Sequence, residues 1–386
     1  MTDDRRHGPL AGVKVIEIAS LGPGPFAAMM LADMGADVLR IERPDPAADD
    51  FANGSWNVLN RSRPSVHLNL KNPAARAAVI RLAAGAEVLI EGFRPGVMER
   101  LGLGPDVLEA DNPRLCYARM TGYGQDGPMA SAAGHDLNYL SLTGALRAMA
   151  RHGERPAVPL NLIGDFGGGG MLMAFGIVCA VLEARSSGRG QIIDAAMVDG
   201  AALLAANIYA LRAADRWNDE PGTNLLDGGA PFYDVYQARC GGYVALGALE
   251  PQFYRRLCEL IGLEPEPQWD QDSWPEQKER FARLISTRTR REWVELTAGE
   301  DTCLTPVLDF HEAPAHPHNQ ARRTFVNADG VVQPAPAPRF SRTPGQIQCP
   351  PAEPGADTDR ALRAWGLTDD QIQQLHDSGA TGQPPE

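Results

Sequence analysis

The stretch V13-K-V-I-E-I-A-S-L-G-P-G-P-F-A-A-M-M-L-A-D-M34 decides the fold. Val13 to Ile18 alternates apolar and polar residues as a strand does, G22-P-G-P25 breaks the run, and Phe26 to Met34 reads as an apolar helix. Gly35 closes that helix at its C′ position, and Asp37 to Glu42 reads as a second strand. Working outward, Asn72-Pro73 supplies an N-cap and first helical residue for a helix that Gly85 ends before a strand at Val88 to Ile90. Leu115 to Met120 adds a further short strand. Strands alternating with helices imply right-handed βαβ crossovers and a mostly parallel sheet, an α/β protein with a Rossmann-like half.

Gly167 to Arg185 reads as a long apolar helix stopped by Ser-Ser-Gly at 186–188, and Gln191 to Met197 as a strand or buried segment. From Tyr233 the pattern changes to a hairpin around Cys240-Gly241-Gly242, followed by helical patterns at Phe253 to Ile261, Pro275 to Ile285 and Arg290 to Leu296, which together predict a small α+β domain. The expected division is a large Rossmann-like domain from 1–200 plus 335–386, a linker at 201–230, the small domain at 231–325 and a Pro-rich returning linker at 326–340. A last helix is predicted near Asp369 to Asp377, with a disordered tail after Gly379.

With 36 Lys and Arg against 49 Asp and Glu, the 386-residue chain carries a net charge of −13, which argues against a general nucleic-acid binder. The longest apolar stretches, such as Met171 to Leu182, are interrupted by glycine and fall short of a membrane span, and the start MTDDRRHGPL has no apolar core of a signal peptide. A soluble cytoplasmic protein with no membrane partner is expected. Six scattered cysteines, with no C-x-x-C pair and no nearby His at ligand spacing, predict reduced thiols in a cytoplasm.

The G22-P-G-P-F-A27 loop, with Glu42 ending the next strand 20 residues on, superficially fits a dinucleotide fingerprint, so an NAD enzyme is one alternative. Pro23 and Pro25 lack the N–H groups by which such loops hold a pyrophosphate, which favours a rigid turn instead. G134-H-D-L-N-Y139 sets His135 beside Asp136. In N161-L-I-G-D-F-G-G-G-G170, Asp165 precedes four glycines and an apolar helix, and amides freed there would face an anion or a developing oxyanion. Glu250, just before Pro251, is by itself an N-cap or surface carboxylate. Arg43, Lys71, Arg94 and Arg100 follow predicted strands or begin helices, where a set of cations would hold phosphates. Met171, Met173 and Met197 flank the Asp165 region and suit either a core or a pocket for varied acyl chains.

These blocks, with L21-G-P-G-P25, G35-A-D-V-L-R-I-E-R-P44, E91-G-F-R-P-G96, D194-A-A-M-V-D-G200, L226-D-G-G-A-P231, A248-L-E-P-Q-F-Y254 and A335-P-A-P-R-F-S-R342, resemble the family III CoA-transferase superfamily, and within it the bacterial α-methylacyl-CoA racemases. The resemblance covers most of the chain to about residue 345. It implies a Rossmann-like large domain, a small α+β domain and an interlocked homodimer in which each ring-shaped chain is threaded through the other. It implies an isomerase acting on 2-methylacyl-CoA thioesters by 1,1-proton transfer, with no metal and no cofactor beyond the CoA of the substrate. The proton-transferring residues fall on His135 and Asp165 and the supporting carboxylate on Glu250. The CoA contacts fall on Arg43, Leu68, Asn69, Leu70, Lys71, Gly92, Phe93, Arg94, Arg100, Gly134, Asp136, Leu137, Asn138 and Tyr139. The alternative within the superfamily is a CoA transferase in which Asp165 is the nucleophile. His135 speaks for the racemase branch, since a transferase has no evident need of a second acid or base there.

Overall fold

The computed structural model describes residues 6–44 and 56–382. In its first unit, β1 (Lys14–Ile18) leads through α1 (Pro23–Asp33) to β2 (Asp37–Glu42). Then come β3 (Ser65–His67), α2 (Pro73–Ala83), β4 (Val88–Glu91), β5 (Cys116–Thr121) and β6 (Ile192–Ala196). The strands form one parallel sheet in the order β3-β2-β1-β4-β5-β6. This is the doubly wound order, with its topological switch between β1 and β4. Neighbouring residues in each strand enter opposite cores: Ile16, Leu39, Leu89 and Tyr117 pack with α2, while Val15, Val38, Ile90 and Ala118 pack with α1. Burial on both faces puts apolar residues at neighbouring positions in β1, β2, β4 and β5.

Three further helices complete the part of this unit that positions the site: α3 (Asp136–Ser141), α4 (Leu162–Ser187) and α5 (Met197–Leu204). Helix α4 starts five residues before the sequence reading placed it and runs for 26 residues without interruption at its glycines. Among the described residues it is the one helix long and apolar enough to cross a membrane by length and composition. Its inward side chains, including Met173, Ile177 and Val181, fill the core shared with α1.

The chain divides into a first unit of Met1–Thr143, Pro159–Leu204 and Arg322–Glu386 and a second of Gly144–Val158 and Ala205–Ala321. The second unit has an antiparallel sheet of β7 (Tyr233–Gln237), β8 (Tyr243–Gly247) and β9 (Leu304–Pro306). Around Phe232, Trp274, Phe281 and Trp293 it packs the helices Pro251–Ile261, Trp274–Ile285 and Arg290–Leu296.

Three segments carry more structure than the sequence reading gave them. The segment 201–230, expected as a linker, holds the end of α5 and a helix at Ala206–Ala213, and its loop is tied by Asn224 and Asp227 side chains bonding neighbouring backbone. The returning segment 326–340 contains a hairpin of β10 (Phe325–Ala328) and β11 (Val331–Pro334), because Asp329 and Gly330 both adopt positive φ and make the tight two-residue turn. The tail after Gly379 is ordered through Gly382. Ala380 is fully buried and accepts the Asn69 amide at 2.7 Å, and Thr381 Oγ1 lies 2.8 Å from His376 Nδ1.

Candidate active site

The loops at 20–23, 92–95 and 120–123, which follow β1, β4 and β5, line a cavity of about 880 Å³ in the first unit. Ligands of doubly wound sheets bind at this carboxyl edge beside the switch point. Into the cavity project His135 from the start of α3 and Asp165 from the start of α4.

His135 is the N-cap of α3, its backbone extended (φ −134°, ψ 177°), and its amide donates to Asn138 Oδ1 at 3.1 Å. One turn on, the Tyr139 hydroxyl donates to the Gly134 carbonyl, and its ring meets Tyr123 edge-on with centroids 5.0 Å apart. A Cβ on Gly134 would stand 2.7 Å from the Tyr123 hydroxyl, so glycine is what lets the two rings close over the chain just before His135. The imidazole itself remains exposed.

Asp165 sits where α4 is wound as a π-helix over Leu162–Met171, with the Phe166 amide bonding back five residues to the Asn161 carbonyl at 3.3 Å. Such wide turns are rare and concentrate at functional sites. The Asp165 amide donates to Asp136 Oδ2 at 2.7 Å. Burial, and next the negative charge of Asp136, push the Asp165 carboxyl up to about 6, against the hydrogen bond from Asn161 and the positive charge of His135. A carboxyl so placed exchanges its proton near neutral pH, as a general acid or base must. Gly22, at φ 67°, opens α1 beside it: a Cβ there would lie 3.3 Å from Asp165 Oδ2. The G22-P-G-P25 loop is therefore a wall of this site.

Residues 10–358 match CoA-transferase family III. The chain belongs to that family. It is 44% identical over 95% of its length to the mouse α-methylacyl-CoA racemase, covering 96% of that protein, and 43% identical to the human one over the same shares. Its fold matches that of a CaiB/BaiF family protein from Brucella suis at a TM-score of 0.79, over 93% of this chain and 100% of that one at 23% identity.

Of the residues singled out in the sequence, His135, Asp165, Gly92, Phe93, Arg94, Gly134 and Tyr139 meet on the one cavity. Arg43 and Lys71 are exposed on the loops after β2 and β3, and Arg100 on a short helix after β4. Leu68 is buried in the sheet core with Leu70 packed against that core, while Leu137 and Asn138 face outward from α3. Asn69 bonds the C-terminal segment through its amide. Asp136 is only 4% exposed, and its carboxylate is turned inward to the Asp165 amide. Glu250 belongs to the second unit, where it is the exposed N-cap residue of the helix Pro251–Ile261 yet makes no side-chain capping bond.

The glycine run reads differently in three dimensions. Gly168, Gly169 and Gly170 are buried inside the helix, and Cβ atoms on them would come 2.6 Å from the Ala201 amide nitrogen, 2.9 Å from Met197 and 2.6 Å from Phe26. They permit close packing of α4 on α5 and α1, which accounts for glycine at these positions without a ligand. The contributions of Gly22, Asn161 and Asp136 to the Asp165 environment were not found from the sequence. The one local signal was the direct adjacency of Asp136 to His135.

Proposed function

We propose that this protein is an α-methylacyl-CoA racemase, interconverting (R)- and (S)-2-methylacyl-CoA thioesters. The observation that carries the reading is a pair of acid/base groups of different chemistry, His135 and Asp165, on one cavity, the carboxyl raised to about 6 and so close to where imidazoles titrate. Neutral His135 takes the α-proton from one epimer. The C–H electron pair becomes the Cα–C double bond as the thioester oxygen takes the charge of an enolate, and protonated Asp165 delivers its proton to Cα from the other side. The opposite direction exchanges the roles. With the glycine amides used inside α4, the donors offered to the enolate oxygen are the amides of Asp136 and Leu137, which open α3 next to His135 and have no partner within it.

Met120 and Met197 line the same cavity and suit a flexible acyl chain. Glu250 is proposed to orient the imidazole and stabilise its charged form, a role in keeping with a carboxylate not spent on capping. An interlocked homodimer and chemistry without metal or further cofactor, on the resemblance, and a cytoplasmic location, on the sequence, complete the proposal. Among the described residues no His, Cys, Asp and Glu cluster is arranged to hold a metal ion.

His135→Ala and Asp165→Ala should each lower net epimerisation of a 2-methylacyl-CoA by about 10²–10⁴-fold, measured by chiral separation of products and α-proton exchange in D₂O. Glu250→Gln should lower kcat with CoA inhibition unchanged. Near wild-type racemisation by both alanine variants would refute the two-base assignment. An Asp165 hydroxamate formed with acyl-CoA and hydroxylamine would move the protein to the transferase branch, where that carboxylate is a nucleophile.

A further inference from the structure

We propose that Asp136 is a positioning residue for the proton transfer, holding Asp165 through its main-chain amide and facing the Asp165 carboxyl with a second negative charge. The inference rests on the racemase reading and goes beyond it, since neither member of the acid/base pair is Asp136.

Asp136 follows His135 directly, so one turn of chain carries one catalytic group and the anchor of the other. Its Oδ2 accepts the Asp165 amide at 2.7 Å, while Oδ1 is buried with no hydrogen-bond partner. An unpaired buried carboxylate oxygen is costly, and proteins keep such groups where they are used. Gly164 is part of the arrangement, for a Cβ there would come 2.8 Å from Asp136 Oδ2 and separate the two carboxylates' elements.

The groups around Asp165 allow its electrostatics to be apportioned. From α3 it is faced by the charge of Asp136, by His135 and by Tyr139, whose hydroxyl is pushed up to about 12 by burial first and is neutral. From the α1 side the approach is by Gly22, which has no charge, and from the N-cap of α4 by the Asn161 side chain. Asp136 is therefore the anionic group that opposes ionisation of Asp165, after burial. A racemase using two bases cycles between neutral imidazole with carboxylic acid and imidazolium with carboxylate. Both forms are populated only when the two groups compete closely for one proton. Asp136 brings the carboxylic acid into that competition.

The test is Asp136→Asn, which keeps the volume and an oxygen to accept the Asp165 amide but removes the charge; Asp136→Ser is the second variant should the first not fold. The Asp165 titration is read in the free protein as the carboxylic-acid C=O infrared band that vanishes in Asp165→Asn. Its midpoint should fall by about one pH unit in Asp136→Asn, and the acidic limb of the kcat/KM profile should move the same way. CoA inhibition should stay unchanged. Loss of activity with both the band and the profile unmoved would reduce Asp136 to a packing residue and overturn the proposal, as would an unmoved band with full activity. If the unaltered protein does not racemise 2-methylacyl-CoA, the functional reading falls with it; if it does and Asp136→Asn behaves as wild type, this inference alone falls.

Discussion

Asp165 occupies a place that favours its neutral form, and this has a consequence for stability that is separate from catalysis. Its carboxyl titrates at about 6 in the folded chain instead of the usual 3.8, chiefly through burial. A folded state that holds a proton more tightly than the unfolded chain loses stability as that proton leaves. The cost is therefore absent below about pH 4 and complete once pH has risen through 6. Asp165→Asn should unfold at a higher temperature than wild type at pH 8 and at nearly the same temperature at pH 4, while racemisation is lost. Equal thermal midpoints at both pH values would contradict the raised titration. At this scale His135 and Asp165 were legible because each stands in a short, distinctive block of sequence. The place of the Asp136 carboxylate was not legible, since nothing local says that it meets a backbone amide 29 residues away.

Among elements, those with a clean apolar period were read to within a few residues: the helices at Asp369–Asp377 and Arg290–Leu296, and the strands β1, β2, β4 and β5. The failures have separate physical causes. Strand β3 has three residues, too few to show alternation, and is stabilised by its ladder with β2 and by Asp357 and Thr358, whose side chains accept its Ser65 and His67 amides. The β10–β11 hairpin was hidden by the prolines that follow it, although Asp329-Gly330 is a strong turn signal. The glycines of α4 were taken for a ligand cradle because chain entropy alone cannot tell approach to a ligand from approach to another helix. That distinction is testable. Gly168→Ala would put its Cβ 2.6 Å from the Ala201 nitrogen, a backbone atom that cannot swing aside. Overpacking of this kind costs about 1–3 kcal/mol. The denaturation midpoint in urea should fall accordingly. A midpoint unchanged with kcat much reduced would restore the ligand-cradle reading.

On the scale of the whole molecule, the first unit carries more exposed apolar surface than its own core requires. Phe175 and Leu182 on α4 are 65% and 71% exposed, and Leu162 on the same helix and Leu203 and Leu204 on α5 are also open. Exposed large apolar side chains on two neighbouring helices suit an interaction face, and the chain's net charge of −13 gives no reason for it to seek a polyanion. A second copy of the chain is the occupant that the proposed interlocked dimer supplies. Chains threaded through one another cannot part without opening a ring, so dilution alone should not separate them, and folding should depend on protein concentration. Light scattering on a sizing column should give twice the 41.6 kDa chain mass from micromolar to nanomolar loading. Phe175→Asp combined with Leu182→Asp should yield little folded protein if that face is buried between chains during assembly. Reversible appearance of folded monomer on dilution, with its far-ultraviolet circular dichroism intact, would rule out threading and leave an ordinary docked dimer. A monomer at every concentration, with full activity, would remove the dimer from the proposal and return the exposed face of α4 to the list of surfaces in want of a partner.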